Sequence, residues 1–386
     1  MQSARFGQAL GALTAVGSLL LTACQSQTAA APTAVPTLSP QQVANLTPAQ
    51  AAYQQARIEF DTVIVPAAKK EGEMNWYNCR QADEGEPMVK LFNQYYPDIT
   101  INNIYGPGNA HVEKIAAEAA AGKIQADSYL CGGTSARNLA GRGLADTFTP
   151  PSALDPSVEY HFPIVQSQTK LTVWHATTTG LGINTNLVPR DKFPKTWWDL
   201  VRDPFWVDLF NRNLVAMYDP RVTGGHGHLI AFGLRIVNQA EYGDEWIRLL
   251  ASYKPKIVNV ATMDPVLRGE FHAIVGVGQT FKNVQNQDPV TTHCPLPGCT
   301  ITQTIPVTVK GGPHTNAARV WAEFWLTKPA QDFLAKNGEA VARKDAEIHP
   351  AVDPATHPSM FWPDDQLEQG TRDNIKWITE SKLFDY

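Results

Sequence analysis

The chain has 386 residues, of which 43% are apolar and 18% charged, with a formal net charge of −5. That length admits two domains and that composition a buried core, which excludes a disordered or fibrous chain. Negative net charge without a block of lysine and arginine argues against nucleic acid as the main partner. At the N-terminus, Arg5 precedes the apolar run 9–21. The run is shorter than the about 20 residues of a membrane span and suits the core of a signal peptide. Residues 25–46 are rich in Ala, Thr, Pro, Ser and Gln without an apolar period, and read as a flexible tether. Residues 47–70 read as helix, with Pro66 as a kink and Gly72 as its stop.

Strands and helices then alternate. A strand at 74–79 precedes a helix face of Met88, Leu91, Phe92 and Tyr95, which Pro97 ends. A second strand, 99–105, is followed by a helix face of Val112, Ile115, Ala116 and Ala119, and a third strand spans 128–131. This alternation predicts a mainly parallel sheet, whose ligands sit beyond the carboxyl ends of the strands. Those ends carry Cys79-Arg80, Gly108-Asn109 and Thr134-Ser135.

A second α/β unit is expected over 169–299. Its strand at 171–176 carries Trp174 and His175, and a helix starts at 196–200. The apolar strand 214–218 is broken by Asp219-Pro220, and Thr223-Gly224-Gly225 forms a turn before a helix beginning near His226. Strand, glycine turn and helix start bring unpaired backbone N–H groups and a positive dipole end to one point, a setting that holds oxyanions. Residues 246–250 read as helical, and a strand at 271–277 ends in Gly278-Gln279-Thr280-Phe281-Lys282. A strand at 303–309, a turn at 310–316, helices at 317–326 and 329–334, a C-cap at Asn337-Gly338 and a last helix near 364–381 complete the chain.

Residues 21–24, Leu-Thr-Ala-Cys, resemble a bacterial lipobox. The resemblance implies cleavage after residue 23 and acylation of Cys24, with the mature protein held on the outer face of a membrane. The remaining cysteines, Cys79, Cys131, Cys294 and Cys299, are even in number, as disulfides outside the cytoplasm require. Cys294 and Cys299 close a tight local loop, which leaves Cys79 and Cys131 for each other if their strands are neighbours. A zinc site from the four and a catalytic Cys79 are the alternatives.

The segment from Val307 to Gln331, VTVKGGPHTNAARVWAEFWLTKPAQ, resembles a pattern of the substrate-binding lipoproteins of bacterial ABC importers, in the cluster of ferric-iron, phosphonate and thiamine binders (extracellular solute-binding protein family 1). Leu91-Phe92, Tyr96-Pro97-Asp98-Ile99, the run Glu118 to Lys123, Thr196-Trp197 with Asp199-Leu200, and Asp219-Pro220-Arg221 match in order. The resemblance implies an α/β, two-lobed periplasmic-binding-protein-like fold (type II). Each lobe is a mainly parallel sheet flanked by helices, hinge strands cross between them, and the ligand cleft lies between. Lobe 1 is expected at 47–168 and 300–345, lobe 2 at 169–299 and 346–386. Partners implied are a small solute and an ABC permease, the chain acting as a monomer without a cofactor or enzymatic activity.

In the ferric members an adjacent tyrosine pair follows the strand that here ends in Gln279-Thr280-Phe281, so ferric iron is the second choice of ligand. Tyr77, Tyr105 and Tyr218 are the other phenols considered. His226 and His228, with His175, His272 or His293, suggest zinc, but residues two apart on a helix diverge by about 200°. The preferred ligand is an organic or phosphorus-containing anion. The family's anion-holding helix start carries over to Thr223, Gly224 and Gly225, and Arg80 is the candidate fork from the opposite lobe. Asn109, Thr134, Ser135, Trp174, His175, Asp219, Gln279 and Thr280 complete the candidate site. No G-x-S-x-G, HExxH or P-loop is present, which sets a secreted hydrolase behind the binder; a ligand sensor would share its fold.

Overall fold

The computed structural model describes residues 36–80, 82–166, 169–222, 227–259, 262–278, 283–284, 286–347, 359–360 and 364–386. Within the stretch expected to be free tether, α1 (Pro40–Val43) is capped by Ser39. Gln55 of α2 (Pro48–Glu59) ties the chain back by bonding Leu38 N at 3.1 Å and Pro36 O at 3.0 Å. Thr47 and Gln50 form a capping box at the start of α2, each side chain satisfying the other's backbone N–H. A π turn, Phe60–Ile64, separates α2 from α3 (Val65–Glu71), whose first turn holds Pro66. The expected kink therefore falls just ahead of the proline, which lacks the N–H an α turn would use there.

The next elements are β1 (Glu73–Asn78), α4 (Ala82–Tyr95), β2 (Thr100–Tyr105), α5 (Gly108–Ala120), β3 (Ser128–Gly132) and α6 (Gly133–Gly141). β1 pairs in parallel with both β2 and β3. The alternation read from the sequence thus gives one parallel half-sheet with its carboxyl ends on a common rim. The long strand β4 (His175–Asn184) follows. It begins later than the expected strand at 171–176 and takes in the threonine run instead, because β-branched Thr177, Thr178 and Thr179 suit a ladder. Gly180 fits a close approach within this strand, since a Cβ there would stand 2.3 Å from Cys299 Sγ.

After β4 come α7 (Trp197–Arg202), α8 (Pro204–Asn211), β5 (Val215–Tyr218), α9 (Gly227–Phe232) with a π turn at Gly233–Val237, α10 (Gly243–Ser252) and β6 (Lys256–Val258). Then follow α11 (Asp264–Leu267), β7 (Ala273–Val277), β8 (Val290–His293) and β9 (Cys299–Thr308). The chain ends with α12 (Thr315–Phe324), α13 (Lys328–Lys336), β10 (Ala340–Val341), β11 (Ser359–Met360) and α14 (Asp364–Glu380). A second parallel group, β7-β5-β6, mirrors the first, and the strand order is β2-β1-β3-β9-β4-β7-β5-β6.

β4 and β9 are the crossing strands. Residues 175–179 of β4 pair with β9, and 180–184 pair with β7 and β8. β9 in turn runs antiparallel to β3 through residues 304–308. The apolar cores on either side are distinct. One gathers Trp76, Phe92, Trp174, Trp321 and Trp325, and the other Trp197, Trp206, Trp246 and Met217. Full burial of a side chain such as Phe92 contributes about 1.5–3 kcal/mol. Leu171, Val173, Trp174 and Ala176 belong to the first core, whereas Ile378 and Phe384 near the C-terminus belong to the second.

Candidate functional site

At the first rim, β1 and β3 are side by side, so Cys79 and Cys131 meet: the disulfide joins them with Cα atoms 5.4 Å apart. The local pair Cys294–Cys299 is bridged as well. Two helices start beside the Cys79–Cys131 bridge. α5 follows extended Pro107, and α6 follows extended Gly132. Neither start has a side-chain cap among the described residues, and neither has an acid in its first turn. Ser135 Oγ donates to Asn109 Oδ1 at 3.3 Å and so links the two starts, with Thr134 exposed beside them. Two other helix starts are closed: Thr196 caps α7 in a capping box, and the Glu71 carboxylate accepts from Ala317 N at 2.7 Å in the first turn of α12, whereas α13, like α5 and α6, has no side-chain cap. Two positive dipole ends without a side-chain cap are therefore joined at this rim through Ser135 and Asn109. Tyr129 OH donates to Gly108 O at 3.4 Å, and burial pushes its phenol up to about 12, so it stands neutral beneath this point.

Arg80 takes a different place from the ligand fork expected of it. Its Nη2 donates to Glu339 Oε1 at 2.9 Å and to His175 Nε2, and its side chain is only 10% exposed. Asn78 holds the local backbone, accepting from Arg80 N at 2.8 Å. His175 is fully buried; burial first, then the Arg80 charge, hold its pKa well below the ordinary histidine value. The imidazole is thus a neutral acceptor for Arg80, with the ring hydrogen on Nδ1. Glu339, which completes this cluster, carries no sequence signal. Trp174 lies in the first core, stacked on Trp325 with ring centroids 4.5 Å apart, so its indole packs the interior instead of walling a cleft.

On the second lobe, Asp219 is 6% exposed at the end of β5. Arg221 grips its carboxylate through Nε and Nη2, each at 2.9 Å, and Arg221 N adds a third bond at 2.9 Å. Burial acts to raise this carboxyl's pKa, but the Arg221 hydrogen bonds outweigh it and leave the value lowered. The start of α9 presses on the strand end: a Cβ at Gly227 would stand 2.0 Å from Tyr218 O, so only glycine fits. Thr223, Gly224, Gly225, His226, Gln279, Thr280 and Phe281 lie outside the described residues, as does Cys24. Of the other phenols, buried Tyr77 donates to Glu118 Oε1 at 2.7 Å, Tyr218 reaches Asn259 O at 3.4 Å, and Tyr105 is 60% exposed. Among the described residues no three His, Cys, Asp or Glu side chains group as metal ligands do.

Two sheet-bearing lobes, two crossing strands and polar carboxyl rims on both sides define a class: the type II periplasmic binding proteins. The match to the model of the bacterial extracellular solute-binding protein family spans residues 87–358, and the chain belongs to that family. No curated protein matches it by sequence. Among solved structures, it is similar to the periplasmic binding protein AfuA from Actinobacillus pleuropneumoniae, solved with fructose-6-phosphate bound. Identity is 18%, TM-score 0.61, with 81% of this chain and 98% of that one covered. Iron-bound HitA from Pseudomonas aeruginosa is similar at 20% identity and TM-score 0.59, covering 78% and 99%. The Mannheimia haemolytica ferric iron-binding protein A in an open conformation matches at 15% identity and TM-score 0.61, covering 82% and 100%. The chain is accordingly an extracytoplasmic solute-binding component of an ABC transporter, and its family and fold are those of transport proteins, not of enzymes.

Proposed function

We propose that the protein captures a small organic or phosphorus-containing anion between its lobes and hands it to an ABC permease. The observation that carries this reading is the pair of uncapped helix starts at α5 and α6, linked by Ser135 and Asn109. Backbone N–H groups there would take the oxyanion, with the Asn109 amide N–H and the Thr134 hydroxyl as side-chain donors and Ser135 holding Asn109 in place through its own hydroxyl. Thr223, Gly224 and Gly225, with Asp219 at the end of β5, would supply the contacts of the other lobe. Closure would follow rotation about β4 and β9, so we place the change of lobe near Gly180 of β4 rather than at residue 169. Cys24 would carry the lipid anchor, with the body tethered through the residues that precede Pro36. Bound iron in some similar structures leaves the anion as our choice, because the rim described here offers N–H donors rather than a set of anionic ligands.

Thr134→Asp tests the reading with two readouts of opposite sign. A carboxylate in the first turn of α6 is favourable to the helix dipole, so the empty protein should hold or gain stability by about 0.3–1 kcal/mol. The same charge should repel an anionic solute and weaken its binding about tenfold or more. Calorimetric titration with inorganic phosphate, fructose-6-phosphate and citrate measures the second effect and urea unfolding the first. Unchanged affinity for an anion that the native protein binds would remove this helix pair from the site.

A further inference from the structure

The C-terminal segment grips the chain at the end of β5 and again along α9, on either side of residues 223–226. On the β5 side, Arg221 stands between Asp219 and the chain end. While Nε and Nη2 hold the Asp219 carboxylate, Nη1 donates to Phe384 O at 3.0 Å and to Asp385 Oδ1 at 2.9 Å. Tyr386 OH donates to Pro255 O at 2.7 Å, immediately before β6. β6 in turn accepts from Asp219 N through Val258 O at 3.1 Å. Phe384 anchors this tail, 2% exposed in the second core.

On the α9 side, α14 lies directly on the helix. Gly370 comes so close to the Phe232 ring that a Cβ would stand 2.5 Å from Cε2. Arg235, in the π turn that continues α9, donates to Asn374 Oδ1 at 3.1 Å. Its guanidinium carbon lies 3.6 Å from the Trp377 ring centroid. One C-terminal segment thus fixes both Asp219–Arg221 and α9.

We infer that residues 364–386 are a positioning element of the solute site, and that Arg221 is the positioning residue through which the chain end sets the rim of β5. The inference rests on the assignment of that rim to solute binding. A rim already ordered in the empty protein loses less conformational freedom when solute arrives, and so binds it more tightly. Arg221 suits the task because a planar fork holds the Asp219 carboxylate on one side and leaves Nη1 for the tail on the other; a lysine has no such fork.

The test uses the full chain as Arg221→Ala and as the double variant Asp385→Ala with Tyr386→Phe, which spares Phe384 in the core. Amide hydrogen exchange is followed at 215–222 and 227–237, with 73–78 and 128–132 of the first lobe as internal reference. Both variants should exchange about tenfold faster at 215–222 and at the native rate in the reference segments, while 227–237, held by α14 through contacts that both variants keep, should stay close to native. Their dissociation constants for inorganic phosphate should rise about fivefold. Unchanged exchange at 215–222 in both variants overturns the inference, as does an acceleration spread evenly over the chain. Faster local exchange with unchanged phosphate affinity overturns the positioning role and leaves only a structural clasp. If the native protein binds no phosphate while the variants show the local exchange change, the clasp stands and the assignment of the rim to anion binding fails.

Discussion

Gln331→Leu is expected to lower stability by about 4 kcal/mol, because the side chain is fully buried and every polar position on it is used. Nε2 donates to Trp174 O at 3.0 Å and to Trp325 O at 2.7 Å. Oε1 accepts from Ala342 N at 2.8 Å and Arg343 N at 3.2 Å. Leucine fills similar space but leaves these backbone groups without the partner they now have, at about 1–3 kcal/mol for each one stranded. Trp174 immediately precedes the crossing strand β4, so the loss should also loosen the base of the hinge. Urea unfolding should show a lower midpoint with an unchanged slope. Gln331→Glu sets an acceptor-only carboxylate oxygen against the Trp174 and Trp325 carbonyls in a fully buried site, so at neutral pH it should cost at least as much as leucine. A loss under about 1 kcal/mol with leucine would mean that the stranded groups find other partners.

Arg80→Ala should cost about 3–5 kcal/mol at neutral pH, since it strands the Glu339 carboxylate in a setting where only 11% of that side chain is exposed. Adding Glu339→Leu should recover much of the loss, giving a coupling of about 2 kcal/mol or more in the double-mutant cycle. Anion affinity should change little in the same variants. Intact stability with collapsed affinity would return Arg80 to the role of ligand fork that its position after β1 suggests.

Much of the fold was legible because its signals are local. Strand–helix alternation gave the parallel half-sheets, the helix start read at 196–200 is that of α7, and four cysteines beyond Cys24 anticipated both bridges. The segment 307–331 was legible as a family pattern, but its chemistry is structural. Asp127, fully buried, accepts from His314 N at 2.6 Å and His314 Nδ1 at 2.9 Å and so fixes the turn, while Gln331 ties Trp174, just before β4, to Ala342 and Arg343. What escaped was long-range. Glu339 meets Arg80 across 259 residues, and Arg221 meets Phe384 across 163, with no local pattern to announce either pair. Trp174 was ambiguous because an indole beside a polar strand serves equally as core or as ligand wall, and only its stack on Trp325 decides. The open ends of α5 and α6 were visible as Gly108-Asn109 and Thr134-Ser135, but their being uncapped is known only once the neighbouring side chains are placed.

The most direct measurement is native mass spectrometry of the protein isolated with the solute it carries in its own cell envelope, followed by release and identification of that solute. An organic or phosphorus-containing anion, bound one to a chain and lost from Thr134→Asp, is the result expected. A metal ion, or an uncharged solute retained equally by Thr134→Asp, would contradict capture at the paired helix starts.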